Sequence, residues 1–250
     1  HRGGIRCLRL LSAAPRALEA LRREVEALRG RARPSRVADA EHVTHWVGAR
    51  GEVLQYSLLN ASGRTDDYAR DHEPTCRGKW FFDAASLPTL GRLIGDFPHL
   101  INFRVNVLGP GALLPPHEEH VPFRTQAGGV GARVRFHLPV KTEPEAELDL
   151  DGDVVHLEAG TIHLVNHGCV HAAWNRGTRD RIHLVWDALL TREVFALISG
   201  RAALPPDWEP VPPARRVVEA VRHEALGPHR RLTAQVSAAQ AAALDLCDEQ

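Results

Sequence analysis

Hydrophobic and polar positions change period twice along the chain. PRALEALRREVEALRG, residues 15–30, sets Leu18, Leu21, Val25 and Leu28 on one stripe, which predicts an amphipathic helix. Pro15 suits its first turn and Gly30 its end. EHVTHWVGARGEVLQYSLLN, residues 41–60, predicts two strands joined by a turn at Gly48 to Gly51. Residues 64–79 are polar and irregular, as expected of a surface loop. SLPTLGRLIGDF, residues 86–97, returns to a helical stripe, with Ser86 as the expected N-cap.

From about residue 100 to 190 the period shortens to two. INFRVNVL alternates and then turns at Gly109-Pro110-Gly111. ARVRFHLPV puts Arg133, Arg135 and His137 on one face and Val134, Phe136 and Leu138 on the other. ELDLDGDVVHL reads as a hairpin with Asp151-Gly152 in a type I′ turn. GTIHLVN and DRIHLVWD supply two more strands. Many short strands with close turns predict a sandwich or barrel. Beyond Thr191 the pattern is helical again, in REVFALISG and in residues 214–226 and 237–246. The expected layout is mainly β: an N-terminal helical and β flank over 1–95, a β core over 96–192 and a C-terminal helical extension over 193–250, packed as one domain.

Composition narrows the partners. Lys+Arg and Asp+Glu both total 31, so charge gives no reason to expect nucleic acid or a membrane surface. No apolar run approaches the ~20 residues of a membrane span. Nearly all cationic residues are arginines, and richness in Arg, Ala, Gly and Pro follows from GC-rich codons, so a bacterial, cytoplasmic origin is expected. The chain begins at His1 and has no Met, and its native start is expected to lie upstream. Cys7, Cys76, Cys169 and Cys247 are scattered without a CxxC and are expected as reduced thiols.

Fifteen histidines raise the prior for a metal site. PPHEEHVPF, residues 115–123, is not the zinc-protease HExxH, because Val121 stands where the second histidine belongs and the prolines oppose a helix. In an extended segment His117 and Glu119 point one way, and Glu118 and His120 the other. An imidazole and a carboxylate on one face form two legs of a two-His, one-carboxylate iron triad. His171 follows a turn further on, and Arg181 opens a strand whose one face also carries His183 and Val185. Arginines facing a β core need an anion, so Arg135 and Arg181 together suggest a buried carboxylate ligand.

These residues resemble the aspartyl/asparaginyl β-hydroxylase family, which includes bacterial proline cis-4-hydroxylase-like enzymes. The resemblance covers roughly residues 106 to 187, NVLGPGALLPPHEE through RVRFHLPV to LEAGTIHLVNHGCVHAAWNRGTRDRIHLVWD. Its order is a PG turn, PHxE, RxHLP, a Gly-led strand, N-x4-H and R-x-HL. It implies a double-stranded β-helix, or jelly roll, with Fe(II), 2-oxoglutarate and O₂ as cofactor and cosubstrates. By position, His117, Glu119 and His171 match the Fe(II) ligands, and Arg181 matches the grip on the far carboxylate of 2-oxoglutarate. Arg135 and His137 match an RxH pair lining the cosubstrate or substrate side of the pocket, and Asn106 sits where some members place a hydroxyl side chain near the cosubstrate. His120 is the alternative to His117, and Cys169 a softer alternative donor. Two departures stand out. Glu119 replaces the Asp of many bacterial members, about 1.5 Å longer, and a longer segment with Gly128, Gly129 and Gly131 suits a lid.

The reaction so implied is hydroxylation of an amino acid, free or in a peptide, with 2-oxoglutarate decarboxylated to succinate. Arg104, Arg133 and Trp174 are candidate substrate contacts, with Trp46 a further candidate pocket wall. His156 and His163 are expected as satisfied core residues. Two other classes fit less of the pattern. A cupin-like metal isomerase or lyase has no use for Arg181, and a non-catalytic anion-binding barrel has none for a full ligand set.

Overall fold

Period-two alternation governs the β core once the chain folds. The computed structural model describes residues 6–36, 49–68, 71, 79–119, 122–124, 130–200 and 202–211. In chain order the elements are β1 (Cys7–Ala13), α1 (Pro15–Arg31), β2 (Ser35–Arg36), β3 (Val53–Asn60), β4 (Trp80–Phe81), α2 (Pro88–Asp96), β5 (Leu100–Leu108) and β6 (Leu113–His117). They continue as β7 (Pro122–Arg124), β8 (Val130–Lys141), β9 (Ala146–Leu150), β10 (Asp153–His156), β11 (Thr161–Val165), β12 (His171–Asn175), β13 (Arg181–Leu189), α3 (Arg192–Ile198) and β14 (Trp208–Pro210).

The strands form a jelly roll of two antiparallel sheets. The larger runs β14-β1-β11-β8-β13-β5-β3-β2, with β4 added on β3 and β7 on β8; the smaller runs β10-β9-β12-β6. Two cores follow from the alternation. Phe103, Val105, Val107, Phe136, Leu138, Leu184 and Trp186 leave the large sheet on the side covered by Leu21, Val25 and Leu28 of α1 and Leu90 and Leu93 of α2. Trp186 stacks on Phe103 and Phe136, at ring centroid distances of 5.4 and 5.6 Å. On the opposite face Val53, Leu108 and Val165 meet Leu148, Leu150 and Ala173 of the small sheet in a second, smaller core. The intervening residues of that face, Arg104, Asn106, Arg135, His137 and Arg181, are polar and line a cavity between the sheets.

Several local expectations need correction. Helix α1 runs one residue past Gly30 and buries Ala17 in the stripe expected for Leu18. Ser86 does not cap α2; the cap position is Leu87 and makes no side-chain bond. The amides of Thr89 and Leu90 instead donate to the carboxylate of Glu24, on α1, at 2.8 to 3.0 Å. Strands β1 and β14 were not expected. In CLRLLSA a register shift between Arg9 and Leu11 breaks the alternation, and β14 has only three residues. The Asp151-Gly152 hairpin forms as expected, with φ of 56° and 91° at its two turn positions. The first predicted strand of residues 41–60 with Trp46, the helices at 214–226 and 237–246, and His120, Gly128 and Gly129 lie outside the described residues. Among the described residues no helix is long and apolar enough to cross a membrane, and Cys7 and Cys169 are free thiols.

Candidate active site

Antiparallel pairing of β6 with β12 sets His117 directly opposite His171, with ring centroids 4.2 Å apart. Each imidazole is oriented by its own turn. Nδ1 of His117 donates to the Pro115 carbonyl at 2.7 Å, and Nδ1 of His171 to the Cys169 carbonyl at 2.9 Å. A carbonyl can only accept, so both Nδ1 atoms carry the proton, which puts the lone pair of each ring on Nε2, the atom that can ligate a metal. Glu119 follows two residues after β6, its amide donating to the His167 carbonyl at 3.1 Å. One donor atom from each of His117, Glu119 and His171 lies within 4.8 Å of the others, a spacing that suits a metal ion. Burial holds His171 neutral, with a pKa lowered to about 4. Cys169 turns its thiol to the Asn166 carbonyl.

These donors border a pocket enclosing about 730 Å³, its open mouth included. Arg181 sits in its wall, 3% exposed. Its Nε and one terminal nitrogen are buried without a hydrogen-bond partner, and no carboxylate among the described residues pairs with it. Burial alone pushes its pKa down to about 9. Beside it Asn106 has a buried, unpartnered Oδ1, and His137 is half of a close pair with His183, Nδ1 to Nδ1 at 3.4 Å.

Arg135 meets protein carboxylates rather than waiting for a ligand. Strand register sets Asp187 of β13 between Arg135 of β8 and Asn102 of β5. Arg135 Nε donates to Asp187 at 2.6 Å, and one terminal nitrogen to Asp187 at 2.9 Å and to Glu119 at 2.8 Å; the other terminal nitrogen donates to Glu119 as well. Arg104 and Asn102 also donate to Asp187, at 3.1 and 2.9 Å, and Arg133 to Glu119 at 3.2 Å. Burial would raise the pKa of both acids, but the Arg135 guanidinium outweighs it and holds each well below the usual carboxylate range.

The structure therefore brings His117, Glu119, His171, Arg181, Arg135, His137, Asn106 and Arg104 to one pocket. Arg133 stands behind Glu119 without lining it. Trp174 is not among the pocket's lining residues. Alternation on β12 turns it away from the face of His171 and Ala173, its Nε1 donates to Glu147 at 2.9 Å, and Arg176 covers its ring. Of the two expected core histidines, His163 is buried and bonds the Thr161 carbonyl, whereas His156 is only half-buried and bonds the carbonyl of Ala146. Asp187, Tyr68, Gln55 and His167 escaped the sequence reading. For Asp187 a signal existed, because it shares the inward face of Arg181 and His183. His167 also lines the pocket; its Nε2 is buried and unpartnered, and burial lowers its pKa to about 3.

A model of the aspartyl/asparaginyl beta-hydroxylase family matches residues 16–190. Among solved structures the chain is similar to a 2OG-Fe(II) oxygenase family oxidoreductase from Burkholderia pseudomallei, at 13% identity and a TM-score of 0.43, over 66% of this chain and 77% of that one. It is similar to AviO1 from Streptomyces viridochromogenes Tue57 at 16% identity and 0.44, over 82% and 94%. A predicted oxalate decarboxylase from Thermotoga maritima aligns at 16% and 0.37, over 64% and 96%. Likeness at this level does not distinguish one reaction from another. No curated protein matches the sequence.

Proposed function

The chain belongs to the aspartyl/asparaginyl β-hydroxylase family, and from that premise we propose that it is an Fe(II)/2-oxoglutarate-dependent dioxygenase hydroxylating a C–H bond of an amino acid, free or in a peptide. The observation that carries this reading is the buried Arg181, without a counter-charge among the described residues, sharing a pocket with a His, Glu, His donor set. A pocket built only for a metal would leave that guanidinium as an uncompensated cost.

The residues present fit the absent groups. His117, Glu119 and His171 would hold Fe(II) through two Nε2 atoms and a carboxylate oxygen, with Arg135 and Arg133 steadying Glu119 from behind. Arg181 would pair with the far carboxylate of 2-oxoglutarate, and His137 and Asn106 line that end of the pocket. Bound iron would supply the oxidative chemistry, coupling decarboxylation of 2-oxoglutarate to succinate and CO₂ with insertion of oxygen into the substrate. Val53, Leu108, Leu148 and Val165 wall the pocket with apolar surface and exclude water. On the side away from Arg181, Arg104 has a buried Nε without a partner, which suits an anionic group of the substrate.

Anaerobic addition of Fe(II) and 2-oxoglutarate to the protein tests the proposal. A visible charge-transfer band that needs both is the expected result, followed by succinate release and a gain of one oxygen on screening amino acids and short peptides. Metal binding with no response to 2-oxoglutarate would overturn it, leaving a cupin-like isomerase or lyase as the reading.

A further inference from the structure

His137 and His183 form a buried pair that the triad does not use. Register sets Val185 opposite His137 on adjacent strands. The two rings stand edge to face, with centroids 5.7 Å apart at 89°. Their Nδ1 atoms meet at 3.4 Å, the one polar contact that either ring makes among the described residues. His183 is 1% exposed and its Nε2 is buried without a partner. The His137 ring lines the pocket, and its Nε2 is not among the sealed, unpartnered atoms.

Proton counting fixes how such a pair works. Burial first, and the nearby Arg181 second, hold both imidazoles well below their ordinary pKa, so each is neutral and carries one N–H. Two bare Nδ1 lone pairs at this distance repel, and two Nδ1–H groups collide, so one of the two Nδ1 atoms is protonated. If it were that of His137, His183 would carry an N–H on its sealed Nε2, in the field of the Arg181 cation. His137 would then turn a lone pair towards the pocket, against any anion held by Arg181. The opposite arrangement leaves only one unpartnered lone pair, a smaller cost than an orphaned N–H.

We propose that His183 is a positioning residue whose Nδ1–H donates to Nδ1 of His137, holding His137 as a donor whose Nε2–H faces the anion on Arg181. The identity of that anion as 2-oxoglutarate rests on the oxygenase reading above.

The test uses the full chain, labelled with ¹⁵N at histidine and loaded with Zn(II). Long-range ¹H–¹⁵N correlation separates the two neutral tautomers, with His137→Asn and His183→Asn assigning the signals. His137 is expected as the Nε2–H form and His183 as the Nδ1–H form; the reverse pair of assignments overturns the proposal. Titration of 2-oxoglutarate into the Zn(II) protein gives a second readout. His183→Asn keeps an amide donor near the Nδ1 position and should bind almost as the parent does. His183→Leu removes that donor and should weaken binding about tenfold. Equal weakening in both variants would mark a merely structural role and overturn the proposal. Absence of binding by the unsubstituted protein overturns the oxygenase reading together with this role, whereas normal binding with reversed tautomers overturns the role of His183 alone.

Discussion

Replacing Arg181 with Met should stabilise the ligand-free protein and at the same time disable it. The guanidinium is 3% exposed with two nitrogens lacking partners, and burial pushes its pKa to about 9. At about 1.4 kcal/mol per decade, holding this charge costs the fold on the order of 5 kcal/mol. Near neutral pH, far below both the folded and the unfolded values, that cost is present in full. Methionine recovers only part of it, because it fills the site imperfectly; about 1–3 kcal/mol is expected. For a domain of this size that is a rise of roughly 2–10 °C in melting temperature. Loss of a buried charge pair with 2-oxoglutarate should weaken that ligand on the order of a hundredfold or more. Thermal unfolding of the metal-free protein, repeated with Zn(II) and 2-oxoglutarate, measures both effects. The reasoning fails if Arg181→Met melts below the parent without ligand, or keeps the parent's ligand-induced shift.

Other perturbations separate the site from its scaffold. Glu119→Ala should weaken Co(II) binding by more than about a hundredfold in a spectroscopic titration, beyond what outer-shell changes do; unchanged affinity removes Glu119 from the ligand set. Asp187→Asn strips the shared partner from Arg135 and Arg104 and should cost about 3–5 kcal/mol in urea unfolding; a loss under about 1 kcal/mol contradicts the hub. Burial lowers His163, His167 and His171 to about 4, 3 and 4. His137 and His183 are held neutral in the same way, so below the unfolded value near 6.5 the unfolded chain binds five histidine protons that the native state does not. Burial raises Asp71 to about 7, and its native-state proton offsets one of them. Stability therefore falls by about 5 kcal/mol per unit as pH drops below about 6.5. Urea midpoints for metal-free protein at pH 7.5 and 5.5 check this, and equal midpoints contradict it. Glu24→Ala leaves the first amides of α2 without their acceptor and should cost about 1 kcal/mol, read as a shift of a few degrees in melting.

The β core was legible because its signal is local. Alternation from Ala132 to Val140 and from Arg181 to Asp187 sorted each residue to the face it occupies, and Asp151-Gly152 declared its own turn. Strand β1 escaped because its bulge at Arg9 to Leu11 shifts the period within a seven-residue strand. The cap of α2 escaped because its acceptor, Glu24, lies more than sixty residues upstream in another helix. Trp174 was misplaced because an aromatic near a ligand in sequence says nothing about which face of the strand it takes. Alternation from His171 puts it on the other one.

What the sequence determined by itself is periodicity and chemical type: which residues alternate, where the chain turns, and that His117, Glu119, His171 and Arg181 are the kinds of side chain a metal and an acid would need. Tertiary structure decided which charges meet. Arg135 and Arg181 look alike as inward arginines on neighbouring strands, yet strand register hands Arg135 both Asp187 and Glu119 and leaves Arg181 with no acid among the described residues. The reason is geometric. Alternation fixes a side chain's face from its neighbours in the chain, whereas its partner across the sheet depends on register and on how the two sheets pack, which only the folded molecule sets.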